Sequence, residues 1–232
     1  MVMEPIGSVP IYPLEWGIAN VENQALDHNQ ISVNTFNKLA QVYQDKYMDI
    51  PLYHASYDAL CERISANDKV LDIACGPGNI SRYLLDRLPG IELLGTDLAP
   101  NMVELARTNN PEAVFEVMDC RAIAQLAQQF DVIVCGFCLP YLDSGDTQSL
   151  IRDMAECLTD GGVLYLSTME GDYAASGMQT SSSGDQAFIH YHDGDVLTEL
   201  LHVNGLNLVW THRQDYPERG DVDLFLIAKK GA

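Results

Sequence analysis

The chain has 232 residues, of which 47% are apolar, so it is long enough for one α/β domain with a buried core and short extensions. Its 13 basic and 33 acidic residues give a formal net charge of −20, and without clustered Lys and Arg it lacks the positive surface that binds nucleic acids. No apolar run of about 18 residues predicts a membrane span, and no secretory signal pattern opens the chain, so we expect a cytoplasmic protein without a membrane partner.

The part of the chain before the first strand is predicted to form an arm and two helices. Residues 1–31 contain three prolines and little hydrophobic periodicity, so we expect a loosely structured arm. Residues 32–66 carry apolar side chains at helical spacing, with Ser32 or Asn34 as the N-cap of the first helix. Pro51 then serves as a first-turn residue of the second helix.

Residues 67–232 alternate between strand and helix patterns. Strands are predicted at 70–75, 91–98, 114–118, 131–137 and 163–168, and helices at 81–88, 101–108, 122–129 and 148–158. Such alternation is typical of a parallel sheet covered by helices on both faces. After a helix at 196–203, two strands at 206–213 and 224–228 follow without a helix between them, so they should pair antiparallel. The sequence therefore predicts a Rossmann-like three-layer α/β sandwich, with a seven-stranded, mostly parallel sheet and a C-terminal antiparallel hairpin.

An insertion at residues 170–189 separates the fifth strand from the last helix. It is rich in Ser and Gly and poor in apolar residues, so we expect an exposed, mobile loop. It is either a solvent loop without a role or a flap that contacts the substrate. Its position after the carboxyl end of a parallel strand favours the flap, because open α/β sheets bind ligands at that edge.

The first strand leads into a glycine turn, VLDIACGPGN at residues 70–79. Gly76 and Gly78 let the backbone turn sharply and approach a ligand closely. A nicotinamide dinucleotide fingerprint continues to a third Gly or Ala, but Ser81 stands there. Asp72 lies inside the strand, where a carboxylate suits a cationic amino-acid ligand and repels a pyrophosphate.

Acidic residues also end the next two strands. Asp97 follows the glycines by about 20 residues, where an acidic side chain accepts hydrogen bonds from ribose hydroxyls. Leu98 and Met102 can flank an adenine, and Asp119 at the end of the third strand can accept from its exocyclic amine. Three acids at three successive strand ends indicate one nucleoside site.

In this order, D-I-A-C-G-P-G-N, G-T-D-L-A-P-N-M and V-M-D-C resemble motif I, the acidic loop and the adenine motif of class I S-adenosylmethionine-dependent methyltransferases. The similarity covers residues 43–230 and is greatest to the branch that acts on small molecules. It implies S-adenosylmethionine as cofactor and in-line transfer of its methyl group to a small soluble acceptor. Enzymes of the family that methylate nucleic-acid amines carry Asn/Asp-Pro-Pro-aromatic after the fourth strand. Residues 138–141 read Cys-Leu-Pro-Tyr and lack that polar acceptor, which argues against base methylation.

The resemblance assigns a set of cofactor-binding residues. They are Tyr43, Tyr47, Asp72, Ala74, Cys75, Gly76, Gly78, Asn79, Asp97, Leu98, Met102, Asp119, Cys120, Arg121 and Cys135. By the same resemblance, the segment 135–139 lies under the methionine and sulfonium. Tyr43 and Tyr47 close over the cofactor, with core packing as the alternative for either.

The catalytic residues are less readable, because methyl transfer needs mainly positioning and exclusion of water. A general base is needed only if the acceptor must lose a proton. The candidates are His190, His192 and Tyr141, although the His-Tyr-His run is also compatible with a strand of exposed imidazoles. The C-x-x-C pair at 135–138 lacks a second ligand pair, so no metal site is predicted.

Two other functions stay open at this point. One is a nicotinamide-dependent oxidoreductase on a similar sheet, and the other is a methyltransferase-like regulator without turnover. The acceptor, the methylated atom and the oligomeric state are not predicted.

Overall fold

The computed structural model describes residues 27–181, 183–216 and 220–231. Most of the predicted N-terminal arm, residues 1–26, therefore lies outside the described residues. Three helices precede the first strand: α1 (His28–Lys38), α2 (Ala40–Tyr47) and α3 (His54–Cys61), the last one entered through a 3-10 turn that starts at Pro51. The predicted N-cap at Ser32 or Asn34 is wrong, because the Asp27 side chain caps α1 by accepting from the backbone N–H of Asn29.

The rest of the chain follows the predicted alternation. The strands are β1 (Lys69–Ile73), β2 (Glu92–Asp97), β3 (Val114–Val117), β4 (Phe130–Gly136), β5 (Leu158–Glu170), β6 (Gly177–Thr180), β7 (Gln186–Ile189), β8 (Leu206–Tyr216) and β9 (Asp221–Lys230). The helices are α4 (Asn79–Arg87), α5 (Pro100–Asn109), α6 (Ser144–Cys157) and α7 (Gly194–Val203). The helix predicted at 122–129 is wrong in type, since a 3-10 segment, Cys120–Gln125, starts where the Asp119 carboxylate accepts from the next-but-one N–H.

Seven of these strands form one sheet in the order β3-β2-β1-β4-β5-β9-β8. The pairs from β3 to β5 are parallel, whereas β9 runs antiparallel to both β5 and β8. This arrangement confirms the predicted fold class and its C-terminal hairpin. The strand order reverses next to β1, so the carboxyl ends of β1 and β4 diverge to neighbours on opposite sides and open a crevice there.

The insertion at 170–189 differs from the predicted loop. β6 and β7 pair as an antiparallel hairpin, and the hairpin packs on α1. The Phe188 ring stacks on His28 with centroids 4.1 Å apart, and the hydroxyl of Thr35 donates to the carbonyl oxygen of Gln186 at 2.6 Å. The strands were not predicted because each has only four residues and gains its apolar cover from α1.

Two apolar clusters pack on the two faces of the central sheet. The strands between them are almost fully buried, with Leu71, Ile133, Tyr165 and Phe225 at 1% exposure or less. In the part of the chain that the structure describes, no helix is long and apolar enough to cross a membrane.

Candidate functional site

A cleft lies at the carboxyl ends of β1, β2 and β4 and is walled on one side by α1. It encloses about 700 Å³ of space, part of it open to solvent, which is the size of small-ligand sites. A smaller inner cavity adjoins it and extends toward α2 and α3. The two spaces share Tyr43, Ala74, Gly76, Gly136 and Phe137, so we treat them as one site.

The floor of the site is a strained turn after β1. Gly76 has φ of +55°, and a Cβ placed on it would lie 3.7 Å from the ring of Tyr43. Ala74 and Phe137 also have positive φ, 52° and 51°, although they are not glycines. They follow the adjacent strands β1 and β4, and such strain is often retained at ligand-binding sites.

Asp97 is held rigidly at the end of β2. Its Oδ2 accepts the backbone N–H of Gly76 at 2.9 Å, and its Oδ1 accepts that of Ala99 at 2.8 Å. Burial raises the pKa of this carboxyl, while the two backbone hydrogen bonds lower it, and burial prevails. The second strand end is therefore tied directly to the glycine turn.

Asp72 lies beneath the inner cavity and is 1% exposed. The hydroxyl of Ser81 donates to its Oδ2 at 2.6 Å. Burial raises the pKa of Asp72 to about 7, since it outweighs the Ser81 hydrogen bond and the Asp97 charge acts in the same direction as burial. The cavity above this carboxylate is rich in tyrosine: Tyr43, Tyr47, Tyr53 and Tyr57 all line it.

Asp119 forms a tight pair with Arg121 after β3. Arg121 makes four contacts to the carboxylate, from its backbone N and Nε to Oδ1 and from Nε and Nη2 to Oδ2, at 2.7–3.0 Å. Burial alone would raise the pKa of Asp119, but the Arg121 hydrogen bonds hold it below its usual value. The same guanidinium reaches Asp27 at 3.3 Å and Asp146 at 3.4 Å, so it joins β3 to the starts of α1 and α6.

Aromatic rings form a row along the α1 and α2 side of the site. Phe36 packs edge-on against Tyr141 and Tyr43, with centroid distances of 4.8 and 5.8 Å. Tyr43 in turn lies 4.6 Å from the ring of Tyr47. The site thus has acidic groups at the strand ends and an aromatic wall opposite.

Most of the predicted site residues come together around these two spaces. They are Tyr43, Tyr47, Asp72, Ala74, Cys75, Gly76, Asn79, Asp97, Leu98, Met102, Asp119, Cys120 and Tyr141. Gly78, Arg121 and Cys135 are not among the lining residues. Gly78 sits at the start of α4 with φ of +79°, and a Cβ there would clash with the side chain of Asn110. Cys135 is fully buried in the core.

The two predicted catalytic histidines do not line the cleft either. The expectation of exposed imidazoles is wrong, since His190 and His192 are 5% and 6% exposed. His192 Nε2 lies 2.9 Å from the carbonyl oxygen of Leu139, and the backbone N–H of His190 donates to that of Pro140. Burial lowers the pKa of both imidazoles, so they are neutral at pH 7.

Sequence reasoning missed the contribution of α1. Asn29, Ser32, Val33 and Phe36 line the cleft, whereas the first of these was assigned to an unstructured arm. The available signal was the run from Phe36 to Tyr43 at helical spacing, which marks one face of a helix but not what that face covers.

The mixed sheet, the glycine turn and the acids at the strand ends define a Rossmann-like protein that binds a nucleoside-containing ligand. Comparison with known proteins narrows this class. The family described as "Methyltransferase domain" matches residues 70–162. A ubiquinone biosynthesis O-methyltransferase of Xanthomonas axonopodis pv. citri is 30% identical over 168 residues, covering 68% of each chain.

A malonyl-[acyl-carrier protein] O-methyltransferase of Enterobacter lignolyticus is 33% identical over 139 residues, or 59% of this chain. That match spans 53% of the Enterobacter protein, about half of its length. In fold, the chain is similar to the 1,6-didemethyltoxoflavin-N1-methyltransferase of Burkholderia thailandensis, solved with S-adenosylhomocysteine bound. That similarity has a TM-score of 0.69 at 18% identity and covers 98% of this chain and 94% of that one. The chain belongs to the class I S-adenosylmethionine-dependent methyltransferases.

Proposed function

We propose that this protein transfers a methyl group from S-adenosylmethionine to a small-molecule acceptor. The observation that carries the proposal is the rigid position of Asp97, tied to the N–H of Gly76 at the edge of the cleft. A carboxylate fixed beside a glycine turn is suited to accept hydrogen bonds from both hydroxyls of a ribose. Family membership supports the same cofactor.

The remaining strand-end residues fit the two other parts of this cofactor. Leu98 and Met102 line the cleft and offer apolar surface to the adenine. Asp72 lies under the inner cavity and attracts the methionine ammonium, directly or through water. Gly76 leaves the space above it to Tyr43 and to the ligand, since no side chain stands between them.

The bound cofactor would supply a methyl group on a cationic sulfur that departs as a neutral thioether. Phe36, Tyr43 and Tyr141 form an apolar and aromatic wall that excludes water and stabilises positive charge near their faces. The same wall suits a planar, mostly apolar acceptor. The protein then has mainly to hold the two reactants in line.

We assign the predicted catalytic candidates different roles. Tyr141 lines the cleft, so we propose that it contacts the acceptor. His190 and His192 contact the carbonyl groups of Pro140 and Leu139, so we propose that they position the turn that carries Tyr141. A direct catalytic role of the histidines stays a prediction, as do the cytoplasmic location and a domain that begins at residue 32.

Calorimetry tests the cofactor assignment. The wild-type protein should bind S-adenosylhomocysteine with a roughly micromolar dissociation constant and should not bind NADH. Binding of NADH alone would favour an oxidoreductase. Turnover is tested by incubating the protein with methyl-labelled cofactor and a small-molecule extract. A labelled product supports the enzyme and identifies its acceptor, whereas cofactor binding without any product favours a regulator.

A further inference from the structure

The carboxylate at the end of β3 has no capacity left for a further hydrogen bond. An ionised Asp offers about four lone-pair sites on its two oxygens. In Asp119, Arg121 occupies four, two on each oxygen. A ligand amine can therefore bind to Asp119 only if it displaces part of a charge-assisted pair, which is the stronger kind of hydrogen bond.

Another acceptor in the same cleft lacks a partner. Asn29 is 9% exposed, and its Oδ1 is buried without a hydrogen-bond partner among the described residues. Its Nδ2 donates to the carbonyl oxygen of Tyr141 at 3.2 Å. Because that carbonyl can only accept, the amide cannot be turned round, and Oδ1 stays the unused acceptor.

Asn29 differs in its location from the other buried groups without a partner. The described part of the chain has six such side-chain atoms, on Asn29, Arg82, Thr96, Asn110, Thr147 and Thr168. Of these residues, Asn29 alone lines the cleft. A buried acceptor without a partner costs about 1–3 kcal/mol, a cost that a ligand donor in the cleft would remove.

The surroundings place Asn29 at the adenine end of the site. Asp27, two residues before it, contacts the same Nη2 of Arg121 that donates to Asp119. Asn29 and Asp119 therefore face the cleft from two elements that one guanidinium joins. Cys120 and Cys138 line the same part of the cleft and provide no strong acceptor.

We propose that Oδ1 of Asn29, rather than the carboxylate of Asp119, accepts the hydrogen bond of the cofactor's exocyclic adenine amine. This inference rests on the proposed function, because it requires an adenine in the cleft. Asp119 is then a positioning residue. It orients Arg121, which holds the start of α1 and with it Asn29 against the ligand.

The experiment compares two ligands that differ at one group. S-adenosylhomocysteine carries the amine, and S-inosylhomocysteine carries an oxygen in its place. Calorimetry should show that the wild-type protein binds the amine form at least about tenfold more tightly. In Asn29→Leu the two affinities should come within about twofold of each other. The ratio isolates amine recognition, because loss of the bond to Tyr141 affects both ligands equally.

Two further variants separate recognition from positioning. Gln30→Leu changes an exposed side chain on the same turn of α1 and should keep the wild-type ratio. Asp119→Asn should weaken both ligands by a similar factor, because it loosens Arg121 without touching the amine. Thermal melting establishes that each variant is folded, and Asn29→Ala replaces Asn29→Leu if the latter is not.

The outcomes are distinguishable. The inference is overturned if Asn29→Leu keeps the wild-type ratio, if Asp119→Asn alone abolishes it, or if the wild-type protein binds both ligands equally. If the wild-type protein binds neither ligand, the proposed function itself fails.

Discussion

Ser81 donates a 2.6 Å hydrogen bond to Asp72, and both side chains are buried at the foot of the inner cavity. A dinucleotide-binding protein has Gly or Ala at the Ser81 position, where the helix packs closely on the strand. Here the hydroxyl instead holds a carboxylate whose pKa is raised to about 7. The site therefore contains one acidic group that titrates near neutral pH.

Cofactor binding should release a proton near neutral pH. The free Asp72 carboxyl has a pKa of about 7, and a nearby ammonium favours its ionised form. The affinity for S-adenosylhomocysteine should therefore rise as the pH increases from 6 to 8. Calorimetry at pH 6.5, in buffers of different ionisation enthalpy, measures the proton released. Asp72→Asn should release none, and an equal release from this variant would contradict the assignment.

Asp72→Asn should also stabilise the free protein at high pH. The folded protein holds this carboxyl protonated up to a pKa of about 7, while the unfolded chain ionises near 4. The free energy of unfolding therefore falls as pH rises from about 4 to about 7. At pH 8 the variant should be more stable by at least about 1 kcal/mol, and near pH 4 the difference should vanish.

Thermal melting at the two pH values checks this expectation. Glu116→Gln is the control, since Glu116 is an exposed carboxylate on the edge strand β3. It should leave the melting temperature almost unchanged at both values. A gain in Asp72→Asn that is the same at pH 4 and pH 8 would show that ionisation is not its cause.

Asp97→Ala should weaken S-adenosylhomocysteine binding by about 1–3 kcal/mol, because it removes the ribose acceptor and the anchor of the Gly76 N–H. Calorimetry at pH 8 measures the loss. Asp131→Asn is a matched control. Asp131 accepts from the Lys69 backbone at the opposite end of β1, so it should keep wild-type affinity. Undiminished binding by Asp97→Ala would refute the ribose assignment.

Gly78→Ala should lower stability more than affinity. Its Cβ would clash with Asn110 where α4 packs on α5, and its φ is +79°, so the cost should be about 1–3 kcal/mol. Gly76→Ala adds a Cβ with an ordinary 3.7 Å contact to Tyr43. It should mainly reduce ligand affinity. Denaturant unfolding and calorimetry separate the two effects, and a reversed pattern would exchange the two roles.

The glycine turn and the strand ends were predictable because their signals are local. Asp72, Gly76 and Asp97 lie within or directly after apolar strands, and parallel pairing brings the ends of those strands to one edge. The pairing itself follows from the alternation of strands with helices. This part of the site thus depends on residue order and periodicity, which can be read along the chain.

The hairpin at 170–189 could not be predicted in the same way. β6 and β7 have little apolar alternation, and their stability depends on α1, which supplies the His28 ring and the Thr35 hydroxyl. The burial of His190 and His192 has the same origin, because the turn at Leu139 and Pro140 covers them. Isolated short segments carry no trace of such partners.

The amino-acid order thus determined the sheet, the glycine turn and the acids that face a nucleoside. Tertiary packing decided how these acids are occupied. Arg121 fills the lone pairs of Asp119, and Asn29 reaches the cleft through a bond to Tyr141, 112 residues away. Hydrogen-bond capacity is used up or left open only when distant segments meet. The free acceptor in the cleft could therefore be identified in the folded chain and not in the sequence.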